Sequence, residues 1–103
     1  MTTRSKEVAG PRGDELSLDT RGHAERLGRS WANDLHAALV REKRRASGGW
    51  PGTLGEARVH VARALRCQGM RLASVQESEG AARIVYASAR SAWNAIRDTD
   101  DDF

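Results

Sequence analysis

The sequence predicts an all-α fold, a three-helix bundle between a disordered N-terminal arm and an acidic C-terminal tail. Three observations carry this. Apolar residues recur at spacings of three and four in three separate segments, the period of a helix with one buried face. Thr53 with Glu56, and Ser74 with Glu77, have the Ser/Thr-x-x-Glu spacing that opens a helix. No segment alternates apolar and polar residues for long enough to make a strand. A chain of 103 residues is one domain. It divides into an arm over 1–18, a helical domain over 19–97 and a tail over 98–103.

The arm holds Gly10-Pro11-Arg12-Gly13 and no hydrophobic period, so disorder is expected, with Leu16 and Leu18 available to dock on the body. The first helix is expected near 20–47, capped by Asp19 or Thr20, with Leu27, Trp31, Leu35, Ala38 and Leu39 on its buried stripe. Gly22 and Gly28 each cost about 1 kcal/mol against alanine, which predicts fraying of the first turns. Arg41, Lys43, Arg44 and Arg45 crowd its last turns, where cations meet the negative end of the helix dipole. Gly48-Gly49 is the expected stop, and Trp50-Pro51-Gly52 a rigid turn.

The Thr53/Glu56 capping box starts a second helix over 53–68, with Leu54, Ala57, Val61, Ala64 and Leu65 inward and Gly69 as its C-cap. The Ser74/Glu77 box starts a third, over 75–97, with Ala82, Val85, Tyr86, Ala89, Trp93 and Ile96 on one face. Its alanines leave little bulk, so a neighbouring helix can approach closely. Short loops make consecutive helices antiparallel. The expected core joins Leu27, Trp31, Leu35, Leu39, Leu54, Val61, Leu65, Val85, Ala89, Trp93 and Ile96.

Composition narrows the function. Hydrophobic residues make up 39% and charged residues 30%, near the soluble average. No apolar run approaches the ~18 residues of a membrane span. Met1 to Glu7 leads into no apolar signal segment, so a cytoplasmic protein without a membrane partner is expected. Cys67, the one cysteine, rules out an internal disulfide and a zinc site of several thiolates. Charge is unevenly spread. The arm is neutral, residues 19–97 carry fourteen basic against seven acidic groups, and the tail adds Asp98, Asp100, Asp101 and Asp102, leaving +3 for the whole chain. Nearly all the cations are arginine, whose fork matches phosphate or carboxylate with two bonds. Arginine-rich coding in a GC-rich genome produces the same composition.

Catalytic and metal chemistry find little support. His60 and Cys67 lie two helical turns apart, too far to share one ion, and no His-x-x-x-His or Cys-x-x-Cys occurs. Neither a nucleophile elbow nor a phosphate-cradling glycine loop is present. No cofactor is implied, and the chain reads as a binding protein rather than an enzyme.

Its leading expected partner is nucleic acid. Arg41, Lys43, Arg44 and Arg45 run into a turn carrying Trp50, and phosphates take arginine forks while an exposed indole stacks on an unpaired base. Arg58, Arg63, Arg66 and Arg71 extend the candidate surface. The bland alternatives are a solvated helix end matched to its dipole and a Trp50 that plugs the end of the bundle. The stretch Ala64 to Val75 resembles a helix-turn-helix corner in the placing of Leu65, Gly69 and Val75. It departs by a leucine where a small residue is required, and by Glu77 and Glu79 on the would-be recognition helix. The competing reading is a protein–protein interaction module or homodimer, using an apolar seam left open by the alanine-rich third helix. The position of the arginines separates the two. Clustered on one face they favour phosphate; paired with acids they favour a protein partner.

Overall fold

The computed structural model describes residues 16–101; the first fifteen residues of the arm, and Asp102 and Phe103 of the tail, lie outside the described residues. The described residues form three helices and no strand: α1 (Leu18–Arg41), α2 (Leu54–Cys67) and α3 (Val75–Asp101). The all-α, three-helix expectation holds.

Each helix end has a local cause. Ser17 caps α1, its Oγ accepting from the Thr20 N–H at 3.2 Å, so the helix starts slightly ahead of the expected Asp19 or Thr20 cap. α1 ends at Arg41, well before Gly48-Gly49. Lys43 takes a left-handed φ of 58°. Its N–H donates to the Val40 carbonyl at 2.9 Å, and the Arg44 N–H donates to the Leu39 carbonyl at 2.8 Å. This is a Schellman closure with lysine in the seat glycine usually holds. α2 begins with the expected capping box, the Glu56 N–H donating to Thr53 Oγ1 and the Thr53 N–H to Glu56 Oε1. It ends at Cys67 with Gln68, not the expected Gly69, as C-cap, and Gly69 follows in the left-handed region at a φ of 76°. At α3, Ser74 Oγ accepts from the Glu77 N–H, but the Glu77 carboxylate takes the Ala73 N–H, one residue before the expected partner. The backbone of Asp98 to Asp101 continues α3, so the first part of the acidic tail is helical.

The helices run up, down and up. His23 of α1 reaches Gln68 at the end of α2, and Trp31 meets His60 further back along it, so these two are antiparallel. α3 then runs parallel to α1. Ser88 Oγ donates to the Glu25 carbonyl at 2.7 Å, and eleven residues later His36 lies beside Ala95, Ile96 and Thr99.

The tightest packing is between these parallel helices. The fully buried residues of α1 are Ala24, Gly28 and Ala32, a row at spacing four. Leu27, Trp31, Leu35 and Leu39, the expected stripe, are half-buried and flank it. A Cβ on Gly28 would lie 2.4 Å from the Val85 carbonyl oxygen and 2.8 Å from the Ala89 nitrogen. The two backbones therefore touch at Gly28, which is a contact point rather than a site of fraying. Val85, Ala89 and Trp93 meet this row from α3. Ala57, Val61 and Ala64 of α2, with Met70 from the following loop, close the core over Ala24, Ala81 and Ala82. Leu65 is 38% exposed, against expectation, because it follows Ala64 by one residue and so turns about 100° from the inward face.

At the other end Trp50 is buried, edge-on to Trp31 at 4.8 Å and to Trp93 at 5.6 Å. Gly52 lies flat on this cluster; a Cβ there would be 2.6 Å from Trp31 Cζ2. The Gly48 carbonyl accepts from Trp93 Nε1 at 3.2 Å and from Arg97 Nη1 at 3.0 Å, tying the loop to α3.

Candidate functional site

The residues expected to contact nucleic acid are spread over the end of α1, the loop after it, α2 and the loop after that. Arg41 ends α1, and Lys43, Arg44 and Arg45 follow it, all exposed. Arg44 pairs with Glu42 at 3.2 Å. The parallel register of α1 and α3 carries the acidic last turns of α3 to this same end of the molecule. Trp50 plugs the aromatic cluster at 8% exposure, so its indole is not offered to a base. Arg58 is held by a two-bond fork on Glu79, 2.8 Å in each bond, which joins α2 to α3. Through those bonds Arg58 holds the Glu79 carboxyl below the usual carboxylate range. Glu79 also stands 3.8 Å from Arg83. Arg63 and Arg66 are exposed on the outward side of α2, beside Val59, which is 59% exposed. Arg71 is exposed in the loop after it. Arg63, Arg66 and Arg71 make no ion pair among the described residues.

The helix-turn-helix likeness does not extend to the packing. Leu65 is 38% and Val75 83% exposed, so neither anchors one helix on the other. Seven residues separate Cys67 from Val75, where such a corner uses a turn of three or four. Among the described residues no group of three metal-ligating side chains comes together, and Cys67 is exposed. Among the described residues no helix is long and apolar enough to cross a membrane. His60 rests on Trp31 with ring centroids 4.5 Å apart; its burial there, and then Arg63, push its pKa down from 6.5.

A groove of about 580 Å³ lies between α1 and α3, lined by no residue of α2. Its floor on α3 is made of Ile84, Ala87, Ser88, Ser91, Ala92 and Ala95. Arg21, Glu25 and Arg29 of α1 form its wall. Ile84 to Ala95 spans eleven steps, about 16 Å of helix. Arg21 and Arg29 make no ion pair among the described residues. The floor follows from the sequence of α3. Small residues occupy not one face but two, the first against Gly28 and the second, a third of a turn or more around, left open. The alanine content signals an open seam, but which residues line it depends on the parallel register, which composition does not encode. Arg21, Glu25 and Arg29 carry no signal of their own and were not among the expected site residues.

No protein-family model matches this chain, and no curated protein and no solved structure matches it either, so the reading of its function rests on these surfaces alone.

Proposed function

We propose that the chain is a helical protein–protein interaction module that docks a partner helix in the groove between α1 and α3. The observation that carries this is the groove itself, an open trough along two parallel helices with a floor of small side chains. Such a floor lets an incoming helix approach to 8–10 Å between axes, the distance of ordinary helix packing. The arginines support the same side of the choice, because Arg44 and Arg58 are paired with acids and the basic run shares its end with the acidic turns of α3. The module works by binding, without a cofactor.

The test is a photo-crosslinking residue placed at Ser91 in the groove and, separately, at Arg63 on the outer face of α2. Protein adducts from position 91 that vanish with Ala87→Arg are expected. Their absence, with adducts to protein from position 63 instead, overturns the reading.

A second reading, contact with nucleic-acid backbone, is favoured by one observation: Arg63, Arg66 and Arg71 are exposed without an acidic partner among the described residues. Light scattering with and without added nucleic acid tests it. Binding that falls steeply with salt, and that weakens on replacing Arg63 and Arg66 by glutamine, is the expected result. No complex at low salt removes it.

A further inference from the structure

We infer that the chain binds a small aromatic carboxylate in a pocket that the loop between α1 and α2 forms with the end of α1 and with α3. The pocket has a volume of about 300 Å³ and shares no residue with the α1–α3 groove, so the inference is independent of the docking reading.

One part of its lining is apolar and fixed in place. Leu35 and Leu39 come from the last turns of α1, Trp93 from α3 and Pro51 from the loop. Trp93 is held from two sides, edge-on to Trp50 at 5.6 Å and by its Nε1 donating to the Gly48 carbonyl at 3.2 Å. Arg97 donates to the same carbonyl at 3.0 Å, so the loop is tied to α3 before any ligand arrives. A wall already in position spares a ligand the cost of ordering it. The volume equals that of about ten waters in the liquid, room for one aromatic ring on a short stem and far too little for a helix. Apolar and aromatic walls with a few polar groups are the usual make-up of a small-molecule site.

The polar part of the lining is made of donors. Arg44 and Arg45 line the pocket, and among the described residues no acidic side chain does. Arg44 meets Glu42 at 3.2 Å, but those side chains are 67% and 61% exposed, and a pair so open to water is worth little. A guanidinium has five N–H donors, enough for Glu42 and a second carboxylate together. Ser47 and Gly49 also line the pocket and make no hydrogen bond among the described residues, which leaves a hydroxyl and two backbone N–H groups for an acceptor. An ionised carboxylate is acceptor-only, which suits a rim of this kind. Its single charge also matches the site, because Glu42 already offsets part of the charge of the two arginines. The ring lies against Leu35, Leu39 and Trp93, and the carboxylate stays at the rim with the arginines.

Proton–nitrogen correlation NMR of the full chain tests this, with phenylacetate as the probe. The indole N–H signal of Trp93, identified by its loss in Trp93→Phe, reports from the pocket wall. Phenylacetate is expected to move this signal and the Gly49 N–H signal saturably, with a Kd of about a millimolar. Two controls divide the probe into its parts on the unaltered chain. Phenylacetamide keeps the ring without the charge, and acetate keeps the charge without the ring; each should bind about tenfold more weakly or worse. Replacing Arg44 and Arg45 together by glutamine should weaken phenylacetate about tenfold and leave phenylacetamide unchanged. Both side chains are exposed, and an unmoved Trp31 indole signal confirms that the variant keeps its fold.

Phenylacetate that leaves the Trp93 signal unmoved overturns the inference. So does phenylacetamide or acetate binding as tightly as phenylacetate, or phenylacetate binding that ignores the arginine replacements. None of these results bears on the groove, whose reading stands or falls with crosslinking at position 91.

Discussion

Replacing Gly28 by alanine sets two effects against each other, and the structure decides between them. Helix propensity alone favours alanine by about 1 kcal/mol. The added Cβ would lie 2.4 Å from the Val85 carbonyl oxygen, 2.7 Å from Ser88 Cβ and 2.8 Å from the Ala89 nitrogen. Two of these three atoms belong to the backbone of α3, so no rotamer change relieves the contact. Ordinary carbon–oxygen contact is roughly 1 Å longer, and α1 must move off α3 by a comparable amount. That shift loosens Ala24 and Ala32 on either side and strains the Ser88–Glu25 hydrogen bond. Overpacking of this kind costs about 1–3 kcal/mol, and with the lost contacts it exceeds the propensity gain. Net destabilisation of about 2 kcal/mol is expected, read as a lower urea midpoint at unchanged slope. Gly22→Ala is the control. Its Cβ would meet only the end of the Arg26 side chain, at 3.5 Å, so there the propensity gain should appear as stabilisation of up to about 1 kcal/mol. If Gly28→Ala matched Gly22→Ala, the parallel contact of α1 and α3 would be refuted.

Lys43 holds a left-handed φ of 58°, so Lys43→Gly should stabilise the chain by about 0.5–1 kcal/mol, the relieved strain less the added freedom of the unfolded chain; a loss of stability would argue against the closure at Leu39 and Val40. Trp93→Ala removes a buried ring that contacts Trp50 and donates to the Gly48 carbonyl; a cost of about 3–5 kcal/mol is expected in denaturant unfolding, and less than about 1 kcal/mol would move Trp93 out of the core. Burial of His60 against Trp31 lowers its pKa in the fold, so its contribution is complete above its ordinary value of 6.5 and declines as pH falls below it; urea midpoints at neutral and mildly acidic pH should diverge, and His60→Gln should remove that divergence. Replacing Arg41, Arg44 and Arg45 together by glutamine should lower thermal stability by up to about 1 kcal/mol at low salt, with the loss fading as salt rises, if the run balances the helix ends beside it; a change that ignores salt would exclude that role.

Much of the fold is legible in the residues that fix chain direction locally. Thr53 with Glu56, and Gly69 after Cys67, act through backbone groups a few residues away, so their meaning survives without knowledge of the fold. The end of α1 departs from the expected Gly48-Gly49 stop for the opposite reason. Gly48-Gly49 is the stronger stop signal, yet the chain turns at Lys43, where the loop must leave early for Trp50 to reach between Trp31 and Trp93. Tertiary packing there overrides a local preference. The buried face of α1 shows the same limit. Hydrophobicity points to Leu27, Trp31, Leu35 and Leu39, whereas the innermost positions are Ala24, Gly28 and Ala32. Large side chains mark where a helix is greasy. Small ones mark where another backbone comes closest, and only the partner helix reveals which small ones matter.

The parallel register also changes what the basic run does. Two parallel helices that start and stop together place both negative dipole ends at one end of the molecule, each equivalent to about half a charge. α3 adds Asp98 and the acidic residues after it to that same end. Unopposed, this would be a concentration of negative charge at a helix terminus, the arrangement helices tolerate least. Arg41, Lys43, Arg44 and Arg45 sit beside it in sequence and in space, and Arg97 reaches from α3 to the Gly48 carbonyl in the same region. The run therefore has work to do within the chain before any phosphate arrives. At the opposite end Arg21 and Arg29 stand on the wall of the groove with Glu25 between them, and neither arginine makes an ion pair among the described residues.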